Sequence, residues 1–272
     1  MFKKVVVADS LATSVNTVFS NYNDYGTMSL LLASIYFSFQ IYCDFSGYSD
    51  IAIGTSKLLG FELISNFKFP YFSRTIPEFW RRWHISLSLW FRDYLYIPLG
   101  GSRLSNLNSL RNIFIIFIIS GFWHGANWTF IFWGLIHALL YLPSFIFKTN
   151  RNNLHNDLAE NRHLPSFKEL TQVITTFSLT TFAWIFFRSN SIQDAFSFIA
   201  QILSFEDKFI YAKSLMIYPV FLICFEFFFR YDERAILEIK NNFVRYSFYV
   251  ILSTLVIVFF NRTQNEFLYF NF

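Results

Sequence analysis

Charge is what this chain most lacks. Only 15% of its 272 residues are Asp, Glu, Lys or Arg, against about a quarter in an average soluble domain. A disordered chain needs high charge and low hydrophobicity, so that class is excluded. Cysteine is nearly absent as well. The only two, Cys43 and Cys224, lie in apolar stretches, which excludes a disulfide framework and a cysteine-held metal cluster. No GxSxG elbow, Walker loop or GxGxxG fingerprint is present. No internal repeat is visible, which weighs against a transporter built from repeated halves. Lys3 and Lys4 precede only a short apolar run interrupted by Asp9, so this stretch does not read as a cleavable signal peptide.

Apolar residues fill the space that charge leaves. Hydrophobic residues make up 54% and aromatics 22%, with 39 Phe. Mean hydropathy is +0.37 and the pI about 9.0. The net charge of +4 would suit a nucleic-acid binder, but long apolar runs assign it to the basic loops of a membrane protein, with lipid and not nucleic acid as the partner. Charge-free stretches run over 30–43, 112–147, 170–187, 214–225 and 246–260. At ~1.5 Å per residue, the stretch from Asn112 to Phe147 would reach roughly 54 Å against a hydrocarbon core of about 30 Å. It therefore reads as two helices broken near Gly121 to Asn127. The expected fold class is all-α: a polytopic transmembrane helical bundle of about five to seven crossings or re-entrant segments, with interfacial amphipathic helices. Basic residues occur in most loops, so the positive-inside rule assigns no orientation. Lys148 to Lys168 reads as a hydrophilic surface loop, and residues 230–245 as another.

Pro77 to Tyr94 has a different pattern. At 100° per residue, Phe79, Trp80, Trp83, Leu87, Trp90, Phe91 and Tyr94 share one face, and Glu78, Arg81, Arg82, Ser88, Arg92 and Asp93 the other. Pro77 suits a first helical turn and Glu78 its positive end. The spacing predicts one amphipathic helix, lying along the membrane or plugging the bundle.

Histidines and isolated carboxylates are the candidate chemistry. His155 and His163 fall in the hydrophilic loop and read as solvated. His84 borders the two faces of the amphipathic segment. His124 lies 13 residues past Arg111, about 20 Å along a helix and hence near mid-membrane. An ionisable group at that depth is either functional or paired between helices, and both readings stay open on position alone. Gly121 and Gly125 beside it permit a break and leave room for a substrate. His137 reads as a packing or interhelical hydrogen-bond residue. Asp44 and Asp50 interrupt an apolar region without a His or Cys set at metal spacing. Asp50 reads as the cap of a helix from Ile51 to Leu59. Asp44 fits either catalysis or pairing to an arginine.

Three runs carry a family resemblance: IYCDFSGYSDIAIGTSKLLGF, then NFKFPYFSRTIPEFWRRWHISLSLWFRDYLYIPLGG, then GFWHGANWTFIFWGLIHAL. They resemble the membrane-bound O-acyltransferase superfamily, and within it the alginate O-acetyltransferase-like branch of bacterial polysaccharide acetylation proteins. FAWIFFRSNSIQDAFSFI and the terminal EFLYFNF agree. The likeness runs from Phe2 to Phe272, with several motifs in the right order.

The resemblance implies a single membrane-embedded domain over 1–272 in the cytoplasmic (inner) membrane. It implies that His124 of the Trp-His-Gly motif is catalytic and that His84 of the Trp-Arg-Arg-Trp-His run assists it or lines a tunnel. It implies acetyl transfer from a thioester donor, acetyl-CoA or an acyl-carrier protein. The acceptor would be a polysaccharide hydroxyl, or a serine of a periplasmic acetyltransferase-like partner. Trp123, Asn127 and Asp44 are carried as substrate-binding candidates, Asn127 as a group that orients the imidazole or meets the oxyanion. Arg81, Arg82 and Arg92 are expected to receive donor phosphates or lipid headgroups. Family members carry further spans before the segment that matches Phe2 to Asp9, so the chain is expected to be the C-terminal part of a longer protein. Teichoic acid D-alanyl transfer and a non-enzymatic membrane remnant remain as alternatives.

Overall fold

The computed structural model describes residues 1–260 apart from 102, 104, 155, 161, 207, 232–238 and 240. His155, half of the 230–245 connection and the C-terminal EFLYFNF therefore lie outside the described residues. Those described are helical, with no strand among them. They form two compact units, one comprising residues 1–64 and those from 196 onward, the other residues 65–195.

In the first unit a π-helical turn, Lys3–Ala8, leads into α1 (Asp9–Ser20), which packs on α2 (Thr27–Leu58). The expected cap at Asp50 is absent: α2 runs 32 residues without interruption through Asp44 and Asp50. Lysines distant in sequence remove the reason to break. Buried Lys4 lies 2.7 Å from Asp44 and 2.9 Å from Asp9, and Lys3 lies 2.9 Å from Asp50. A carboxylate whose charge is neutralised by hydrogen-bonded pairing can stay inside an apolar helix. Ser34 and Ser38 bond back to the carbonyls four residues earlier, so α2 buries them with their hydroxyls satisfied. Tyr42 donates to Glu226 of α9 (Ile217–Phe228) at 2.7 Å. Phe19 stacks on Phe198 of α8 (Ile192–Leu203) at 4.5 Å. None of the side chains of α10 (Asn242–Phe260) is buried.

The second unit is built from α3 (Ile76–Arg82), α4 (Ile85–Phe91), α5 (Asn106–His124), α6 (Trp128–Ile146) and α7 (Phe167–Arg188). The single amphipathic helix expected from Pro77 onward is two. Trp83 is extended and His84 takes the left-handed conformation, φ 43°. That conformation costs a non-glycine residue about 1–2 kcal/mol. The Asn66–Lys68 segment stabilises it by taking over the orphaned helix-end groups. Lys68 N–H donates to Arg82 O, while Asn66 accepts from Ile85 N–H on its carbonyl and from Ser86 N–H on its side chain. The charged face of this segment is solvated only in part: Glu78 and Arg82 are buried and Arg92 and Asp93 exposed, while on the apolar face Trp90 and Tyr94 are exposed.

The break within the long charge-free stretch falls where expected. α5 ends at His124 and α6 begins at Trp128, capped by Asn127. Gly125 sits at φ 157°, ψ 163°, a region essentially reserved for glycine. The two helices pack backbone to backbone. A Cβ on Gly121 would strike the carbonyl oxygen of Phe130, and one on Gly134 that of Phe117, with the Phe117 carbonyl carbon at 3.0 Å. Gly134→Val should therefore lower the melting temperature in detergent by an amount equivalent to about 1–3 kcal/mol. An unchanged transition by intrinsic fluorescence would refute this close approach.

Among the described residues, four helices are long and apolar enough to cross a bilayer: α2, α6, α7 and α10. That is fewer than the five to seven segments expected. α9 has only 12 residues, about 18 Å against a core of ~30 Å. α5 begins with the polar turn Asn106–Arg111, which dilutes its hydropathy.

Candidate active site

The break after α3 turns His84 inward, where it is buried. The end of α5 presents His124. Both line one cavity of about 380 Å³ within the second unit. The His124 ring is held edge-on by Trp133 at 5.2 Å and Phe187 at 5.1 Å. No group among the described residues hydrogen-bonds that ring, so its nitrogens are open to a substrate. Burial lowers the His84 imidazole to about 4, so it is neutral at pH 7.

The remaining lining is mostly aromatic and aliphatic, including Trp80, Phe91, Phe117, Tyr141 and Leu154. Among the described residues, its charged lining is Arg81, Arg92 and Arg151, with no carboxylate. Such a cavity suits a ligand with an apolar arm and an anionic end.

All three arginines expected to receive phosphate have protein partners. Arg81 lines the cavity but donates to the carbonyls of Asn150 and Asn152, both at 2.8 Å. Arg82 does not line it. Its guanidinium lies 3.0 Å from Glu78 and 3.2 Å from Asp157. Arg92 lines the cavity, is more than half exposed and pairs with Asp93 at 2.7 Å. Arg151 is exposed and without a partner among the described residues. The sequence reading missed it because it placed Lys148 to Lys168 in solvent.

That segment is in fact a strap docked on α3. Glu78 holds Arg74 and Arg82 at 3.0 Å each and accepts from Asn153 at 3.2 Å. Arg74 also donates to the carbonyl of Asn156. Leu158 and Ala159 are buried. The docking sets Asn150, Arg151 and Leu154 into the cavity wall. His163 is exposed, as expected.

The other candidates fall elsewhere. Trp123 is half exposed and lies against both imidazoles, 6.0 Å from His84 and 5.1 Å from His124, but it does not line the cavity. Asn127 is a helix cap: its side chain accepts from Thr129 N–H at 3.0 Å and donates to Asn190 O at 3.2 Å. One of its amide N–H groups is thus committed to Asn190, and the residue does not line the cavity. Asp44 belongs to the first unit and pairs with Lys4, a lysine where an arginine was expected. His137 is fully buried and accepts from Trp80.

Known proteins share these segments. The chain is 40% identical over 195 residues to a peptidoglycan O-acetyltransferase of Helicobacter pylori, covering 72% of this chain and 35% of that protein. It is 41% identical over 203 residues to a protein of Pseudomonas aeruginosa named "Probable alginate O-acetylase AlgI", covering 75% and 36%. A teichoic acid D-alanyltransferase of Bacillus subtilis is 32% identical over 158 residues, 56% of this chain and 39% of the relative. The chain thus spans little more than a third of the length of the relatives it matches. The membrane-bound O-acyltransferase family matches residues 12–155, which include both cavity histidines. With that match and apolar helices fit to cross a bilayer, this chain is a multi-pass membrane protein that belongs to the membrane-bound O-acyltransferase family.

Proposed function

We propose that this chain carries the acyl-transfer site of an O-acetyltransferase that esterifies hydroxyls of an extracellular polysaccharide from the bacterial inner membrane. One observation carries the reading: His124, whose nitrogens meet no hydrogen-bonding group among the described residues, lines the same cavity as the neutral imidazole of His84. In the proposed reaction, the neutral His124 imidazole accepts the proton of a hydroxyl as that oxygen attacks the thioester carbonyl. The tetrahedral oxyanion collapses and the carbon–sulfur bond breaks. The imidazolium then returns its proton to the leaving thiolate. His84 assists from the cavity wall. Arg151, with Arg81 and Arg92, attracts the phosphate end of the donor, which acetyl-CoA and a phosphopantetheine arm on a carrier protein have in common. The acceptor is a glycan hydroxyl, or a serine of a periplasmic acetyltransferase-like partner that completes the transfer.

The D-alanyltransferase relative motivates a second reading, D-alanyl transfer. A D-alanyl thioester carries an ammonium group. Placing it among three guanidiniums, with no carboxylate among the described lining residues, is electrostatically unfavourable, whereas an acetyl group carries no charge. Deleting the gene should remove base-labile acetate from the envelope polysaccharide, measured as acetate released by mild alkali, and leave ester-linked D-alanine unchanged. Loss of D-alanine with acetate intact would reverse the choice.

A further inference from the structure

His137 lies inside α6, fully buried and one turn past Trp133. The indole Nε1–H of Trp80 donates to its Nδ1 at 3.3 Å. An indole nitrogen can only donate, so Nδ1 holds a lone pair and the ring carries its proton on Nε2. That Nε2 is buried with no partner among the described residues. Leaving a buried N–H unmade is unfavourable, and a phenyl ring would fill this site without that penalty. What histidine adds here is an acceptor at the Nδ1 position, and Trp80 uses it.

Trp80 is part of the cavity wall. Its ring meets Phe117 edge-on at 5.2 Å and Trp133 at 5.8 Å. His137 also packs edge-on against Trp133, at 5.0 Å, and Trp133 in turn backs His124 at 5.2 Å. One side chain outside the cavity thereby touches both the ring that forms its wall and the ring that supports its imidazole.

We propose that His137 is a positioning residue of the acyl-transfer site. By accepting the Trp80 indole N–H it sets the plane of the cavity wall along which the acyl arm of the donor lies, and through Trp133 it holds the orientation of His124. The proposal rests on the acyl-transfer reading above.

The test is a double-mutant cycle in cells making the intact protein. The rate of [14C]acetate incorporation into base-labile glycan esters is normalised to the amount of protein in the membrane. His137→Phe keeps the ring and removes the acceptor, and should lower the rate about tenfold. His137→Asn places an amide oxygen near the Nδ1 position and should stay within about threefold of the parent. Trp80→Phe should match His137→Phe, and the double variant should be no worse than the poorer single, because both remove the same bond. If His137→Phe does not accumulate, His137→Asn and Trp80→Phe decide the matter with the same expected values. A His137→Phe rate near the parent's, a His137→Asn loss as deep as that of His137→Phe, or multiplicative losses in the double variant would each overturn the proposal. His124→Ala serves as the control. Retained incorporation there would fail the acyl-transfer reading itself, whereas an inactive His124→Ala beside a normal His137→Phe would fail only this inference.

Discussion

Replacing His124 with alanine should lower acetyl-ester formation by about 10²–10⁴-fold, the range over which a positioned general base contributes. The expectation rests on the cavity's contents. Among the described residues, His124 and His84 are the imidazoles that line it, and no carboxylate lines it to substitute as a base. His84 occupies a different backbone position at the α3–α4 break and should not replace the lost group. Protein in the membrane should stay near normal, because the His124 side chain makes no hydrogen bond to a described residue and only part of it is buried. The residual loss of stability comes from its edge-on ring contacts with Trp133 and Phe187, about 0.5–1.5 kcal/mol each at most. His124→Phe therefore separates the two effects. It keeps ring packing, removes the base, and should be as inactive as the alanine variant. Acetate release from the envelope polysaccharide, compared at equal membrane protein, checks both variants. Either one retaining parental ester levels would end the assignment of His124 as the base.

The second large effect is on stability. Glu78 is 1% exposed and neutralises two buried guanidiniums, Arg74 and Arg82. Removing one partner of such an arrangement leaves charge buried without compensation and costs about 3–5 kcal/mol. Glu78→Ala should accordingly lower the detergent melting temperature by many degrees. It should also make the 148–163 strap more sensitive to protease, because Glu78 accepts from Asn153 within that strap as well. The residual ties, Arg82 to Asp157 and Arg74 to Glu169, keep the loss from being total. Activity should fall at temperatures below the new transition, since the strap contributes Asn150, Arg151 and Leu154 to the cavity wall. Replacing Glu78 and Arg74 together by leucine and methionine should recover part of the stability. A Glu78→Ala transition within a degree or two of the parent would show that the network does not hold the strap.

Both predictions depend on features of different legibility. The membrane class and the two-helix reading of the 112–147 stretch followed from the sequence, because each rests on local chemistry; position singled out His124, and the family resemblance made it the catalytic candidate. Twenty-odd residues without charge need a helix in lipid. Two glycines and a polar run interrupt it, and an imidazole near mid-depth stands out against its neighbours. The capping role of Asn127 was equally local. An Asn two residues before a Thr at a helix start has a standard capping geometry, whereas the sequence reading offered its amide to the imidazole or the oxyanion.

Tertiary structure decided what depended on distant partners. The charge shortage of the chain is the common cause. With so few ions in an apolar interior, a buried charge takes its counter-charge wherever the fold brings one, and several of those partners are remote in sequence. Asp44 stays helical because Lys4, 40 residues earlier, meets it. Arg82 turns away from the cavity because Glu78 and Asp157, the latter 75 residues later, hold it. The same network converts a polar loop into a wall and brings Arg151 to the cavity. Likewise, Trp83 and His84 leave the helix because Asn66 and Lys68 complete its broken ends. Periodicity reports which residues prefer an interior. It contains no term for a pairing that forms only after the chain has folded, and those pairings decide which arginines remain available to a ligand.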